Sequence, residues 1–154
     1  MTHEIERRFL VEELPPGLPP GTPVRQGYVA LDGDVSVRVR EAAAGCTLTV
    51  KGGIGRTRVE VERKIDADEF AALWELSEGR RVAKSRAVVP LDGLRIEVDV
   101  FEDALAGLVI AEVEFPSSEA ADAFAPPPWF GEEVTGRPEW GNPSLAVRGR
   151  PDQR

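Results

Sequence analysis

Arg58-Val59-Glu60-Val61-Glu62 sets ions and valines at alternate positions. Residues two apart in a β-strand point to the same side, so this stretch predicts a strand with one ionic face and one apolar face. The same i, i+2 spacing of charge returns in Glu4-Ile5-Glu6-Arg7-Arg8, Arg38-Val39-Arg40, Lys84-Ser85-Arg86, Arg95-Ile96-Glu97-Val98-Asp99 and Glu112-Val113-Glu114. Ladders of surface salt bridges would explain any one of these pairs. They do not explain six such segments together: a solvated ladder mixes signs along each strand, whereas Arg38/Arg40 and Glu112/Glu114 repeat one sign. The intervening Val39, Val59, Val61, Ile96, Val98 and Val113 make the opposite face apolar, and helices and loops are expected to cover it.

Reading outward from these segments gives about eight strands, at 3–11, 24–31, 34–42, 46–51, 56–65, 81–88, 94–101 and 107–115. Asp32-Gly33 and Asp92-Gly93 are tight-turn signals between them. Asp66-Ala67-Asp68-Glu69 is a capping-box pattern that opens a helix ending near Gly79. Ser117 or Ser118 caps a short helix that Pro126-Pro127-Pro128 terminates. Asn142-Pro143 reads as an N-cap followed by proline at the first helical position. The expected fold is α+β and mainly β: an eight-stranded closed antiparallel β-barrel, or tunnel, with a charged lumen and two or three outer or lid helices. Residues 1–148 form a single tunnel domain and 149–154 a disordered tail in this reading.

If every charged face points inward, the lumen holds eight bases (Arg8, Arg38, Arg40, Lys51, Arg58, Lys84, Arg86, Arg95) and eight acids (Glu4, Glu6, Glu60, Glu62, Glu97, Asp99, Glu112, Glu114). The net charge of -8 then lies wholly on the exterior and loops. Unpaired buried charges cost several kcal/mol each, so such a lumen is not a dry core. Clustered carboxylates without histidine or thiol suit Mg²⁺ or Mn²⁺. Clustered arginine and lysine suit phosphate. Together they make the environment that metal-assisted phosphoryl chemistry requires, and two divalent ions would raise the lumen to about +4, matching a triphosphate chain.

Composition excludes several other classes. An acidic chain does not bind nucleic acid or anionic membranes broadly. No apolar run nears ~20 residues, and no signal segment precedes Thr2-His3-Glu4, so a cytoplasmic protein is expected. Cys46, the one cysteine, reads as packing. Gly52-Gly53-Ile54-Gly55 lacks the Gly-Lys-Ser/Thr ending of a P-loop. His3 has the wrong parity to join Glu4 and Glu6. Tyr28 is read equally as a lumen residue or as packing, and Trp74, Trp129 and Trp140 as outer packing.

Glu4-Ile5-Glu6-Arg7-Arg8 resembles the ExExK signature of the CYTH, or triphosphate tunnel metalloenzyme, family. The resemblance runs in order through Gln26-Gly27-Tyr28, Arg38-Val39-Arg40, Leu48-Thr49-Val50-Lys51, Arg58 to Glu62, Lys84-Ser85-Arg86, Glu97 to Phe101, Ala111 to Glu114, and Trp129, Glu133-Val134-Thr135, Asn142 and Leu145. It implies a hydrolase acting on a small-molecule triphosphate, first of all inorganic triphosphate, with two Mg²⁺ or Mn²⁺ ions. Glu4, Glu6, Asp99, Glu112 and Glu114, then Glu60 and Glu62, are the implied metal ligands. Arg8, Arg38, Arg40, Lys51, Arg58, Lys84 and Arg86 are the implied phosphate ligands, and Lys51, Lys84, Glu4 and Glu6 the catalytic set. Arg8 departs from the signature lysine: it keeps the charge but stays protonated, and so serves for binding only. Trp140 stands where a tyrosine is expected. The alternatives are a thiamine or nucleoside triphosphatase, a class IV-like adenylate cyclase, or a non-enzymatic polyphosphate- or organophosphate-binding module. Oligomeric state, a homodimer included, stays open.

Overall fold

The computed structural model describes residues 2–53 and 56–153. Ile54 and Gly55, half of the glycine-rich loop, lie outside them. Eight antiparallel strands close into a barrel in the order β1-β5-β4-β3-β2-β6-β7-β8. They are β1 (Thr2–Leu10), β2 (Thr22–Asp32), β3 (Val35–Ala42), β4 (Gly45–Gly52), β5 (Thr57–Ile65), β6 (Arg81–Leu91), β7 (Leu94–Phe101) and β8 (Val109–Glu114). Three helices accompany them: α1 (Ala67–Glu75), α2 (Ser118–Ala123) and α3 (Asn142–Arg148). No helix among the described residues is long and apolar enough to cross a membrane.

The register carries out the parity rule. Glu4 pairs with Arg58, Lys51 with Glu60, Thr49 with Glu62, Arg86 with Asp99, and Arg8 with Glu112. Directly paired residues share a face, so the ionic set converges on one lumen. Outside, Phe9, Ile96, Val98, Ala111 and Val113 are buried with Phe115, Ala121 and Phe130. This core sits between β1, β7 and β8 and the α2 segment. The capping box of α1 forms as predicted, with Asp66 accepting from the Glu69 amide and Glu69 accepting from the Asp66 amide.

Three expectations need correction. The outer face is not covered everywhere: Val50, Val59 and Val61 are exposed, because α1 crosses β2, β3 and β4 while α2 lies on β1, which leaves β5 bare. Trp140 is not outer packing. With Val134 and Leu145 it joins the lumen-side Val82, Phe101 and Ile110 in a second apolar cluster, so the C-terminal segment plugs one end of the barrel. Asn142 is not the N-cap of α3; that position is Gly141, and Asn142 is the first residue of the helix. Beyond Arg148 the chain makes a 3-10 turn, Pro151–Gln153, with an Arg150–Asp152 ion pair.

β1 changes partners midway. Thr2–Ile5 pair with β5, whereas Glu6–Leu10 pair with β8 on the opposite edge. Along the second half the β5-facing edge is taken by residues 131–135. Gly131 N–H donates to Leu10 O (2.7 Å), Leu10 N–H to Glu132 O (2.8 Å) and Val134 N–H to Arg8 O (2.8 Å). The Arg8 amide donates to Thr135 Oγ1 (2.9 Å). A Cβ on Gly131 would lie 2.8 Å from Leu10 O, so only glycine permits this approach.

Candidate active site

Inside the barrel, acids and bases interleave. Arg58 donates through Nη2 to Glu4 (2.9 Å) and Glu6 (2.5 Å). Lys51 Nζ lies 3.2 Å from Glu4 and 3.4 Å from Glu60. Arg86 forks onto Asp99 (2.7 and 2.9 Å) and reaches Glu97 (3.1 Å). Arg8 Nη1 donates to Glu112 (2.6 Å). Lys84 is fully buried with Nζ 2.7 Å from Asp99. Glu62, Glu114 and Arg95 are exposed at the rim, although Glu62 still accepts from Thr49 Oγ1 (3.0 Å). His3 is exposed, as its parity requires.

Three buried side-chain donors among the described residues have no hydrogen-bond partner: Arg38 Nε, Arg58 Nε and Lys84 Nζ. The Lys84–Asp99 contact is close but lies outside hydrogen-bond geometry. An unmade buried hydrogen bond costs about 1–3 kcal/mol, more for a charged group. All three orphans belong to the set read from sequence as phosphate ligands.

Burial drives the Lys84 ammonium down to about 7; Asp99 opposes this, and the Arg86 and Arg40 charges add to it. Burial and the Arg38 and Arg86 charges bring Arg40 down to about 10. Burial pushes the Glu6 carboxyl up to about 8, reinforced by the charges of Glu112 and Glu4 and outweighing Arg58. Burial would raise Glu112 as well, but Arg8, the hydrogen bond from Glu6, Arg86 and Lys84 hold it well below the usual carboxylate range. Glu6 and Glu112 therefore share a proton that stays on Glu6. Burial works against Asp99 too, and Lys84 and Arg86 keep it low.

Sequence reasoning missed the parts that Gln26 and Thr49 play in this network and left Tyr28 open between lumen and packing. Gln26, fully buried, accepts from Arg40 Nε (3.2 Å) and Nη2 (3.1 Å) and donates to Tyr28 Oη (3.2 Å). Tyr28 is buried and paired with Arg38 across the β2–β3 ladder. Thr49, also fully buried, accepts from Arg38 Nη2 (3.4 Å). Extending the parity rule from charged to neutral polar side chains would have found Gln26 on β2 and Thr49 beside Lys51, and would have decided Tyr28 for the lumen.

The lumen opens into a cavity of about 610 Å³. Glu6, Arg8 and Arg58 line it together with the β2–β3 turn, residues 134–139 and, from α3, Pro143, Ser144, Val147 and Arg148. No aromatic side chain is among the described residues that line it.

No family model matches the chain. It is 45% identical over 146 residues to an inorganic triphosphatase of Nitrosomonas europaea, covering 94% of this chain and 97% of that one. A second inorganic triphosphatase, from Acetivibrio thermocellus, is 40% identical over 148 residues, with 94% of each covered. A solved structure of an inorganic triphosphatase superposes with a TM-score of 0.70 at 44% identity, covering 96% of both chains. A protein of Pyrococcus horikoshii OT3, 18% identical with a TM-score of 0.58 over 77% of this chain and 84% of that one, shares the fold. The ordered charge series, the closed barrel and these relatives agree: the chain belongs to the CYTH, or triphosphate tunnel, family.

Proposed function

We propose that the protein is an inorganic triphosphatase that cleaves a phosphoanhydride bond of triphosphate inside the barrel. The observation that carries this reading is the set of buried cationic donors that make no hydrogen bond, Arg38 Nε, Arg58 Nε and Lys84 Nζ, the last paired only by charge with Asp99. Such donors gathered in one lumen are matched by an anion with many oxygens, and phosphate supplies them. Arg40, Lys51 and Arg86, now held by Gln26, Glu4 and Asp99, complete the grip. Lys84, whose ammonium burial drives down to about 7, is suited to take a proton from the attacking water at Nζ, with Lys51 as the alternative acceptor. Both relatives of at least 40% identity carry this activity in their names.

The carboxylates fit Mg²⁺ or Mn²⁺ in a particular way. Among the described residues no three acids, cysteines or histidines form a ready metal cage, and Glu4, Glu6, Glu60, Glu97, Asp99 and Glu112 are each bound by a base. Glu6 and Glu112, however, share a proton where a divalent cation would serve both. Mg²⁺ is commonly held by one or two carboxylates with substrate phosphates completing its shell. Glu4, Glu6, Asp99, Glu112 and Glu114, then Glu60 and Glu62, would hold two such ions as phosphate draws the bases away. Bound there, the metal would lower the pKa of water and neutralise charge on the phosphates. Among the described residues the mouth offers no ring on which a nucleobase or thiazolium could stack, which favours the inorganic substrate over nucleoside or thiamine triphosphate. Purified protein with Mg²⁺ or Mn²⁺ should release phosphate from triphosphate, and Glu4→Ala and Glu112→Ala should abolish the release; no turnover with any divalent metal would refute the reading.

A further inference from the structure

Among the described residues Arg8 spends most of its donors on protein acceptors, and, unlike Arg58 and Arg86, it spends them largely on the C-terminal segment and not on lumen acids alone. Nη1 donates to Glu112 Oε1 (2.6 Å). Nε and Nη2 both donate to the Trp140 carbonyl (3.3 and 3.1 Å), and Nη2 also donates to Asn142 Oδ1 (3.1 Å). A guanidinium has five N–H donors, and four are used here. The backbone of Arg8 is engaged with the same segment, through Val134 N–H and Thr135 Oγ1. The next residue back, Arg7, points to the outer face and grips the segment there, forking onto Glu133 (2.9 and 2.8 Å) and donating to Ala121 O and Phe124 O. Asn142 is free to accept from Arg8 because Gly141, not Asn142, occupies the cap of α3.

We propose that Arg8 is a positioning residue: it latches the C-terminal plug, residues 134–148, to the metal-binding acid Glu112, and does not itself hold phosphate. Its planar fork spans an acid on β8 and two acceptors at the start of α3. A lysine at this position would offer a single point charge, able to neutralise Glu112 but not to bridge to Trp140 O and Asn142 as well. Seating the plug and orienting Glu112 are thereby one event. Arg8 supplies the link from the lumen acids to the plug, whereas Arg58, Lys51 and Arg86 are held by lumen acids.

The test compares Arg8→Lys, which keeps the charge, with Asn142→Ala, which touches neither the lumen acids nor phosphate. Hydrogen exchange is read over residues 134–148 of the whole protein, Mn²⁺ affinity by calorimetry without substrate, and kcat and KM with triphosphate. A latch predicts that Arg8→Lys speeds exchange in this segment by about tenfold or more and weakens Mn²⁺ binding several-fold. It also predicts a kcat loss of about tenfold with KM changed by less than about threefold. Asn142→Ala moves the same readings in the same direction by smaller factors, and the double variant is no worse than Arg8→Lys alone. A phosphate ligand predicts the reverse, a KM raised about tenfold with exchange and Mn²⁺ binding unchanged and Asn142→Ala silent, and that result overturns the proposal. Should Arg8→Lys fail to fold, Asn142→Ala decides by itself: faster exchange with weaker Mn²⁺ binding upholds the latch, and parent-like values refute it. Only the kinetic arm rests on the hydrolase reading, so a protein that hydrolyses nothing would still uphold or refute the latch by exchange and Mn²⁺ binding.

Discussion

At the scale of single residues, the lumen keeps like groups at different protonation states through burial and neighbours. Glu6 and Glu112 are both carboxyls, yet one holds a proton to about pH 8 while the other stays ionised. Because the folded value of Glu6 lies above its ordinary 4.5, its contribution to stability is complete below the ordinary value and is lost as pH rises through about 8. In the presence of a chelator, the melting temperature of the parent should therefore fall relative to Glu6→Gln, by several degrees between about pH 5 and about pH 9. A constant difference between the two proteins would show that Glu6 does not hold the proton. Lys84 behaves oppositely: its lowered value favours the fold as pH rises from about 7 toward the ordinary lysine range. Lys84→Ala removes both an orphaned phosphate donor and a candidate proton acceptor, and is expected to lower kcat/KM by about 10²-fold or more. Steady-state kinetics on the folded variant checks this, and loss of less than tenfold would take Lys84 out of the proton-transfer role.

At the scale of elements, the strands follow from a period-2 rule and the closing segment does not. Charge at i, i+2 on six stretches named the strands and their inward faces, and the observed ladders put those faces together. Residues 131–135 bind β1 largely through backbone groups, which any sequence possesses, so their docking leaves few traces in the sequence: Gly131, and the Glu133 and Thr135 side chains that meet Arg7 and the Arg8 amide. Gly131→Ala would drive a methyl group into the Leu10 carbonyl. The expected loss is about 2 kcal/mol, or a melting temperature lower by roughly 4–8 °C, since 1 kcal/mol shifts a domain of this size by about 2–4 °C; an unchanged melting temperature would mean that the segment is not held against β1. Asn142 was misread for a related reason. An Asn-Pro pair satisfies the local rule for a helix start, but the long-range demand of the Arg8 guanidinium claims its side chain, and Gly141 takes the cap instead.

At the scale of the whole molecule, parity predicts a charged lumen but not how far each ion sits from solvent. Asp99 and Lys84 are fully enclosed, while Glu62, Glu114 and Arg95 stand at the rim. That gradient comes from barrel tilt and from the plug at one end, neither of which has a sequence period. Nor does alternation reveal which outer valines are covered, since coverage depends on where α1 and α2 land; Val59 and Val61 carry the same signal as Val98 and Val113 yet are exposed. What closes the barrel, spaces the ions and leaves buried cationic donors without hydrogen bonds serves one purpose in this reading, the capture and cleavage of a compact polyanion. The direct measurement is phosphate release by the purified protein from triphosphate, thiamine triphosphate and ATP, each with Mg²⁺ and with Mn²⁺. Metal-dependent release from inorganic triphosphate, at least about tenfold more efficient than from either organic triphosphate, is the predicted result. Equal or better turnover of ATP or thiamine triphosphate, cyclic AMP formed from ATP, or no turnover of triphosphate with either metal would contradict it.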